Sequence, residues 1–235
     1  MSLTSSTKNP YREQLEKLPE VFTLPETRRI LGYSPTTANQ TLSRWMEKGL
    51  IDALAPRSGV YFNLEKNKYA REQNLRLAIT KKYPVSRIIG PHVLVNYGWT
   101  TQIQQYMTLA LNLPPIKGST SSTNGYLSVP EVEFQYRSKK WWQAAIVDEA
   151  KRNKKNIYIQ GFESVSPGFA LVDMWMNKDL SWFPDADDLH LEDAPDAAQD
   201  ILQACKLLGV DPDPLFAAIE VDPYYLGLSD NPFCS

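Results

Sequence analysis

From Thr23 to Asn63 the chain reads TLPETRRILGYSPTTANQTLSRWMEKGLIDALAPRSGVYFN, and few local folds satisfy all the signals in it. Thr23, with Pro25 in the next turn and Glu26 three residues on, has the capping-box spacing of a helix N-terminus. Gly32 closes that helix, because glycine enters the left-handed conformation at a C-terminus without steric cost. Ser34-Pro35 opens a second helix at once. Along it Ala38, Leu42, Trp45 and Met46 recur at intervals of three and four and predict one apolar face. Thr36, Thr37, Asn39, Gln40, Ser43 and Arg44 fall on the other side. Short hydroxyl and amide side chains with one guanidinium are the types that meet base edges and phosphates in a major groove. After Gly49, Leu50-Ile51 and Val60-Tyr61-Phe62 predict a hairpin with Ala55-Pro56-Arg57-Ser58-Gly59 at its tip. Helix, tight turn, helix and hairpin make the pattern of a winged helix-turn-helix, with Arg57 where a wing meets DNA backbone or minor groove. The pattern also fits a small helical domain with a polar surface helix, or a winged helix used for protein contacts.

Asn39 and Gln40 lead the base-reading candidates, since a carboxamide pairs bidentately with adenine. Lys8, Arg12, Arg28 and Arg29 are candidate phosphate contacts. Charge supports a polyanionic partner for this end of the chain. The net charge of −2 conceals an asymmetry: residues 1–82 carry 14 Lys+Arg against 8 Asp+Glu, whereas residues 160–235 carry 2 against 15. The acidic C-terminal part reads as a solubilising surface or as an internal competitor for the basic face. At 235 residues the chain has room for two domains. The boundary is expected near residue 70, giving a winged-helix domain over 1–70 and a mixed α/β domain over 71–235.

The second domain is expected to be α+β. Pro91 at the start of a short helix over His92–Tyr97, closed by Gly98, follows an apolar segment from Val85. Strands are predicted over Gln105–Leu113, Val132–Tyr136 and Ile157–Ile159. Ser166-Pro167 opens a helix running through Met176, and Asp196–Leu208 and Asp213–Ile219 form two more. GSTSSTNG, residues 118–125, reads as a surface loop. Two cysteines, Cys205 and Cys234, are too few for a disulfide framework and lack zinc spacing. No signal peptide or membrane span is recognised, so a cytoplasmic protein with no membrane partner is expected.

Three segments together resemble the AbiEi-type antitoxins of type IV, abortive-infection toxin–antitoxin systems. The N-terminal segment ending GLIDALAPRSGVYFN is similar to the compact helix-turn-helix that opens those proteins. RIIGPHVLVNYGWTTQ is similar to the family's ISG-SAL-HGLT segment, with Gly90 and Gly98-Trp99-Thr100 in matching places. VSPGFALVD resembles the family's SPERALLD helix start, with Ser166, Pro167, Ala170, Leu171 and Asp173 in step. Pro91-His92 and Gly168-Phe169 depart from the pattern, where small residues and a charged pair are usual. The resemblance implies an antitoxin that represses its own operon by binding inverted repeats of double-stranded DNA through the winged helix. It also implies a C-terminal domain that opposes a nucleotidyltransferase-like toxin without a stable complex. One recognition helix reads one half-site, so inverted repeats need two copies, as a homodimer or as independently bound chains.

Other constellations are open to a functional and a bland reading. Lys139-Lys140-Trp141-Trp142 followed by Lys151, Arg152, Lys154 and Lys155 interleaves basic and aromatic residues, as a second nucleic-acid patch would, or as a solvated turn beside core tryptophans would. PDADDLHLED, with Asp185, Asp187, Asp188, His190, Glu192 and Asp193, has metal-ligand types without regular spacing and reads as a solvated acidic loop. Gly118-Ser119 and the pair Glu131, Glu133 distantly resemble a nucleotidyltransferase pattern, but STSSTNG is a poor helix former. His92 and His190 lack a nucleophile partner. The expectation is therefore no catalysis, no cofactor and no metal. The alternatives are a nucleic-acid-processing enzyme whose winged helix delivers substrate, and a plain winged-helix regulator whose second domain dimerises or senses a ligand.

Overall fold

The computed structural model describes residues 10–113, 128–151, 158–177, 183–184 and 186–219. It is a mixed α and β architecture of helices and small sheets, in two compact units. The first runs to Pro84 and includes Ser128 and Val129; the second is built from the remainder, starting at Val85.

In the first unit α1 (Pro10–Glu16) leads into β1 (Val21–Thr23), α2 (Leu24–Leu31), α3 (Pro35–Glu47), β2 (Ile51–Ala53), β3 (Val60–Asn63) and α4 (Ala70–Lys82). The caps are those the residue types require. Thr23 Oγ1 accepts from Glu26 N at 3.3 Å while Glu26 Oε2 accepts from Thr23 N at 2.8 Å, closing the capping box. Gly32 ends α2 at φ 70°, and Ser34 Oγ accepts from Thr37 N at 3.1 Å at the head of α3.

The sheet is antiparallel in the order β1-β3-β2. β1 was not expected, because three residues give no periodicity to detect. Leu15, Leu18, Phe22, Leu42, Trp45 and Ile51 form the core between sheet and helices. Met46, expected on the apolar face of α3, is 40% exposed. The buried stripe is set by Ala38, Leu42 and Trp45, and Met46 lies a further 100° round the helix. Leu50 likewise precedes β2 instead of opening it.

The division of the chain falls after Pro84, later than the boundary expected near residue 70. α4 belongs with the first unit because its side chains are tied there. Arg71 Nη1 bonds Asp52 Oδ2 at 3.2 Å and Ala53 O at 3.0 Å, and Lys81 Nζ meets Glu26 Oε1 at 2.5 Å. A kink at Asn74 (φ −122°) is held by Glu20, whose Oε2 accepts from Asn67 and Asn74 at 3.1 and 2.9 Å.

The second unit contains β4 (Ser86–Ile89), α5 (Pro91–Asn96), β5 (Met107–Leu111), β6 (Val132–Tyr136), α6 (Lys139–Lys151), β7 (Tyr158–Ile159), β8 (Phe162–Glu163), α7 (Pro167–Met176), α8 (Ala197–Leu208) and α9 (Pro212–Ala218). Its larger sheet has the order β4-β5-β6, with β4 antiparallel and β6 parallel to β5. β7 and β8 form a hairpin.

α7 is nearly all buried and packs on α8. At their crossing a Cβ on Gly168 would stand 2.6 Å from the Asp200 carbonyl carbon and 2.7 Å from Ile201 N, and Gly168 N donates to Asp200 Oδ2 at 2.6 Å. That close approach accounts for glycine at this position. No helix among the described residues is long and apolar enough to cross a membrane.

Candidate functional site

α3 divides cleanly. Ala38, Leu42 and Trp45 are buried, while Thr36, Thr37, Asn39, Gln40, Ser43 and Arg44 are all exposed. Thr37 differs from the others: its hydroxyl is 2.8 Å from Ser34 Oγ, within the cap. The side chains of Thr36, Asn39, Gln40, Ser43 and Arg44 have no hydrogen-bond or ionic partner among the described residues. Such a face leaves hydrogen-bonding groups of both polarities to an external partner.

The β2–β3 connection carries Arg57 outward. Leu54 and Ala55 are buried, Ser58 N donates to Ala55 O at 3.0 Å, and Ser58 Oγ both donates to Val60 O (3.1 Å) and accepts from Val60 N (3.2 Å). Arg57 takes φ 61° at the tip, a left-handed conformation that non-glycine residues seldom adopt.

Of the other cations, Arg28 and Arg29 are exposed on α2, whereas Arg12 pairs with Glu65 at 2.8 Å and is not free for phosphate. Lys8 lies outside the described residues. Among the carboxylates between Leu24 and Asn63, Glu26 is held by Lys81 and the Thr23 cap. Those bonds bring its pKa below the ordinary carboxylate value against the desolvation that raises it. Asp52 pairs with Arg71, and Glu47 stands exposed on α3. Glu47 was missed by reading the sequence for cations and amides alone.

In the second unit the expected basic–aromatic patch separates into two parts. Lys139, Lys140 and Lys151 are exposed on α6, but Trp141 is buried with its Nε1 donating to Asp173 Oδ1 at 2.7 Å. Trp142 is half-buried, with the Arg87 guanidinium 5.9 Å from its ring and its Nε1 buried. The two indoles are therefore committed to packing, and stacking on bases is lost from the patch. Arg152, Lys154 and Lys155 lie outside the described residues.

Asp173 is the centre of the unit's polar core. Arg137 Nε and Nη2 meet its carboxylate at 2.9 and 2.8 Å, and Asn177 Nδ2 donates at 3.0 Å. A second cluster joins the buried Arg87 to Ala145 O and to the partly exposed Glu149 and Glu163. Asp148, fully buried, accepts from Ser166 N (3.2 Å) and Ser166 Oγ (3.0 Å) at the head of α7. Trp99 and Thr100 are buried and dock the later chain, with His190 N donating to Trp99 O at 2.9 Å. Asp173, Ser166, Trp99 and Thr100 thus hold the unit together.

A shallow cleft beside this core is lined by Gly90, Pro91, Gln104, Thr108, Gln135 and Arg137. Arg137 is already taken up by Asp173, Gln135 and Tyr136 O there. His92 is half-buried with Nδ1 unpartnered among the described residues, and burial lowers its pKa.

Of the acidic run, Asp188 accepts from Gln102 and His190 lies 3.8 Å from Glu192; Asp185 is outside the described residues. No group of three metal-ligating side chains converges among the described residues. Glu131 precedes β6 and is exposed, while Glu133 accepts from Gln135 at 3.2 Å. Gly118 and Ser119 are outside the described residues.

No family model and no curated protein matches the sequence. Among solved structures the chain is similar to the RV2827C protein of Mycobacterium tuberculosis. The TM-score is 0.53 at 16% identity, over 91% of this chain and 73% of that one. At that identity the likeness concerns the fold.

Proposed function

We propose that this chain is a DNA-binding regulator whose first unit is a winged helix-turn-helix. In this reading α3 is the recognition helix, the β2–β3 hairpin the wing, and the ligand double-stranded DNA. The observation that carries it is the run of exposed side chains on α3 with no partner among the described residues: Thr36, Asn39, Gln40, Ser43 and Arg44. Amides, hydroxyls and a guanidinium on one helix face match the donor and acceptor pattern of a major groove. Arg57 extends the surface towards backbone or minor groove, and Arg28 and Arg29 add cations for phosphate. Thr37 stands exposed beside the other α3 residues, its hydroxyl shared with the Ser34 cap.

Together with the resemblance to AbiEi-type antitoxins, this makes the chain a cytoplasmic antitoxin and autorepressor of a type IV toxin–antitoxin operon. Two copies cover an inverted repeat. The second unit counteracts a nucleotidyltransferase-like toxin without a lasting complex. The chain itself performs no reaction and uses no cofactor in this scheme.

The test is a gel shift of the purified chain on DNA from upstream of its own gene, over a salt series, beside Asn39→Ala/Arg44→Ala. Each lost base or phosphate contact weakens binding by about 1–3 kcal/mol, so the double variant should bind tenfold or more weakly. Log affinity should fall with log salt at about −0.9 per neutralised phosphate. Equal affinity for upstream and random duplex, or a double variant that binds as well as the parent, refutes the assignment of α3.

A further inference from the structure

Three carboxylates lie between Leu24 and Asn63, and α4 supplies a cation to two of them. Lys81 meets Glu26 at 2.5 Å and Arg71 meets Asp52 at 3.2 Å. Glu47 is the third. It is exposed and has no ion pair or hydrogen bond among the described residues. Eleven residues after Thr36, it returns to within about 20° of the same side of α3, roughly 16 Å further along the axis. Gln40 and Ser43 lie between them on that stripe, one to each side of the line. The row of hydrogen-bonding side chains therefore ends in a negative charge that nothing described neutralises, while Arg44 on its flank is a cation with no partner among the described residues.

A carboxylate at that place lowers affinity wherever it faces phosphate. Complexes with unmatched DNA are held almost wholly by phosphate contacts and leave the helix loosely seated against the backbone. A matched sequence seats the helix on base edges and keeps its outward stripe in the groove, away from the phosphate rows. Repulsion then falls more heavily on the unmatched complexes, and specificity is a difference of affinities that a repulsive element can widen.

We infer that Glu47 is a specificity-determining residue of the α3 face, acting by repelling phosphate in mis-seated complexes. The inference rests on the DNA-binding reading above.

The test uses the full chain and fluorescence anisotropy on two labelled duplexes, one from upstream of its gene and one scrambled at equal length and composition. Glu47→Gln is compared with the parent and with Glu72→Gln, which alters an exposed carboxylate on α4. Removing a unit charge within about 8 Å of two or three phosphates should tighten binding to the scrambled duplex about three- to tenfold. Binding to the upstream duplex should tighten less than about twofold, so discrimination falls; Glu72→Gln should leave it unchanged.

If Glu47→Gln weakens binding to the upstream duplex alone, the carboxylate accepts from a base, such as a cytosine amine, and the repulsive role is overturned. Unchanged affinities on both duplexes overturn it as well. A parent chain that binds neither duplex refutes the DNA reading and takes this inference with it. A parent that binds both, with a variant that behaves identically, refutes only the role of Glu47.

Discussion

Removing the Asp173 carboxylate should cost the second unit a large part of its stability. Asp173 is 0% exposed and accepts from four donors: Arg137 Nε (2.9 Å), Arg137 Nη2 (2.8 Å), Trp141 Nε1 (2.7 Å) and Asn177 Nδ2 (3.0 Å). In Asp173→Asn the amide nitrogen faces one of these donors, and the Arg137 guanidinium stays buried without its counter-charge. Breaking one partner of a buried ion pair costs about 3–5 kcal/mol. The upper half of that range is expected, because the indole and Asn177 lose an acceptor as well. Removing both charges in Arg137→Met/Asp173→Leu should cost much less than the sum of the two single changes, since no unpaired charge remains. The assay is urea unfolding of the full chain by near-ultraviolet circular dichroism and by fluorescence, with each transition fitted separately because the chain has two compact units. A single-variant loss under about 1 kcal/mol, or additive losses in the double variant, would falsify the account of this core.

Gly168→Ala should destabilise the α7–α8 crossing by about 1–3 kcal/mol, because its methyl group would meet the Asp200 and Ile201 backbone below 3.0 Å. A urea midpoint equal to that of the parent would contradict the close approach. For His92, burial holds the folded-state pKa below 6.5. The folded chain thus binds fewer protons there than the unfolded chain. The resulting stability is complete above about pH 6.5 and is lost as pH falls towards the lower folded value. His92→Gln should flatten the decline of stability between about pH 6.5 and 5 relative to the parent; equal slopes in the two proteins would disprove it.

Much of the first unit was legible because its punctuation is local. Thr23, Glu26, Gly32, Ser34 and Pro35 act within four residues of themselves, and each stands in the cap that its chemistry predicts. The same holds for Ser166-Pro167, whose side chain accepts from Phe169 N. Partners distant in sequence were not legible. Pairing of β1 with β3 joins Val21 to Phe62, and Arg71 neutralises Asp52 across a turn and a strand, with no local signature for either. The Trp141-Trp142 pair was open to reading as core beside a solvated turn or as a stacking platform. What decided it was Asp173, thirty-two positions later, accepting a hydrogen bond from the Trp141 indole N–H. On α3 the exposed residues were legible from helical period alone, but the role of Thr37 in the cap was not separated from its neighbours.

The lock that Ser58 places on the hairpin tip has a thermodynamic consequence. Holding Arg57 at φ 61° costs about 1–2 kcal/mol in folding, and the Ser58 bonds to Val60 offset that strain before any partner arrives. Association then needs no ordering of the tip backbone, which otherwise costs about 1–2 kcal/mol per residue fixed. Only the Arg57 side-chain rotamers remain to be restricted, for about 0.5–1.5 kcal/mol. In the proposed DNA-binding reading, the entropic cost of using this tip is thereby shifted from binding to folding.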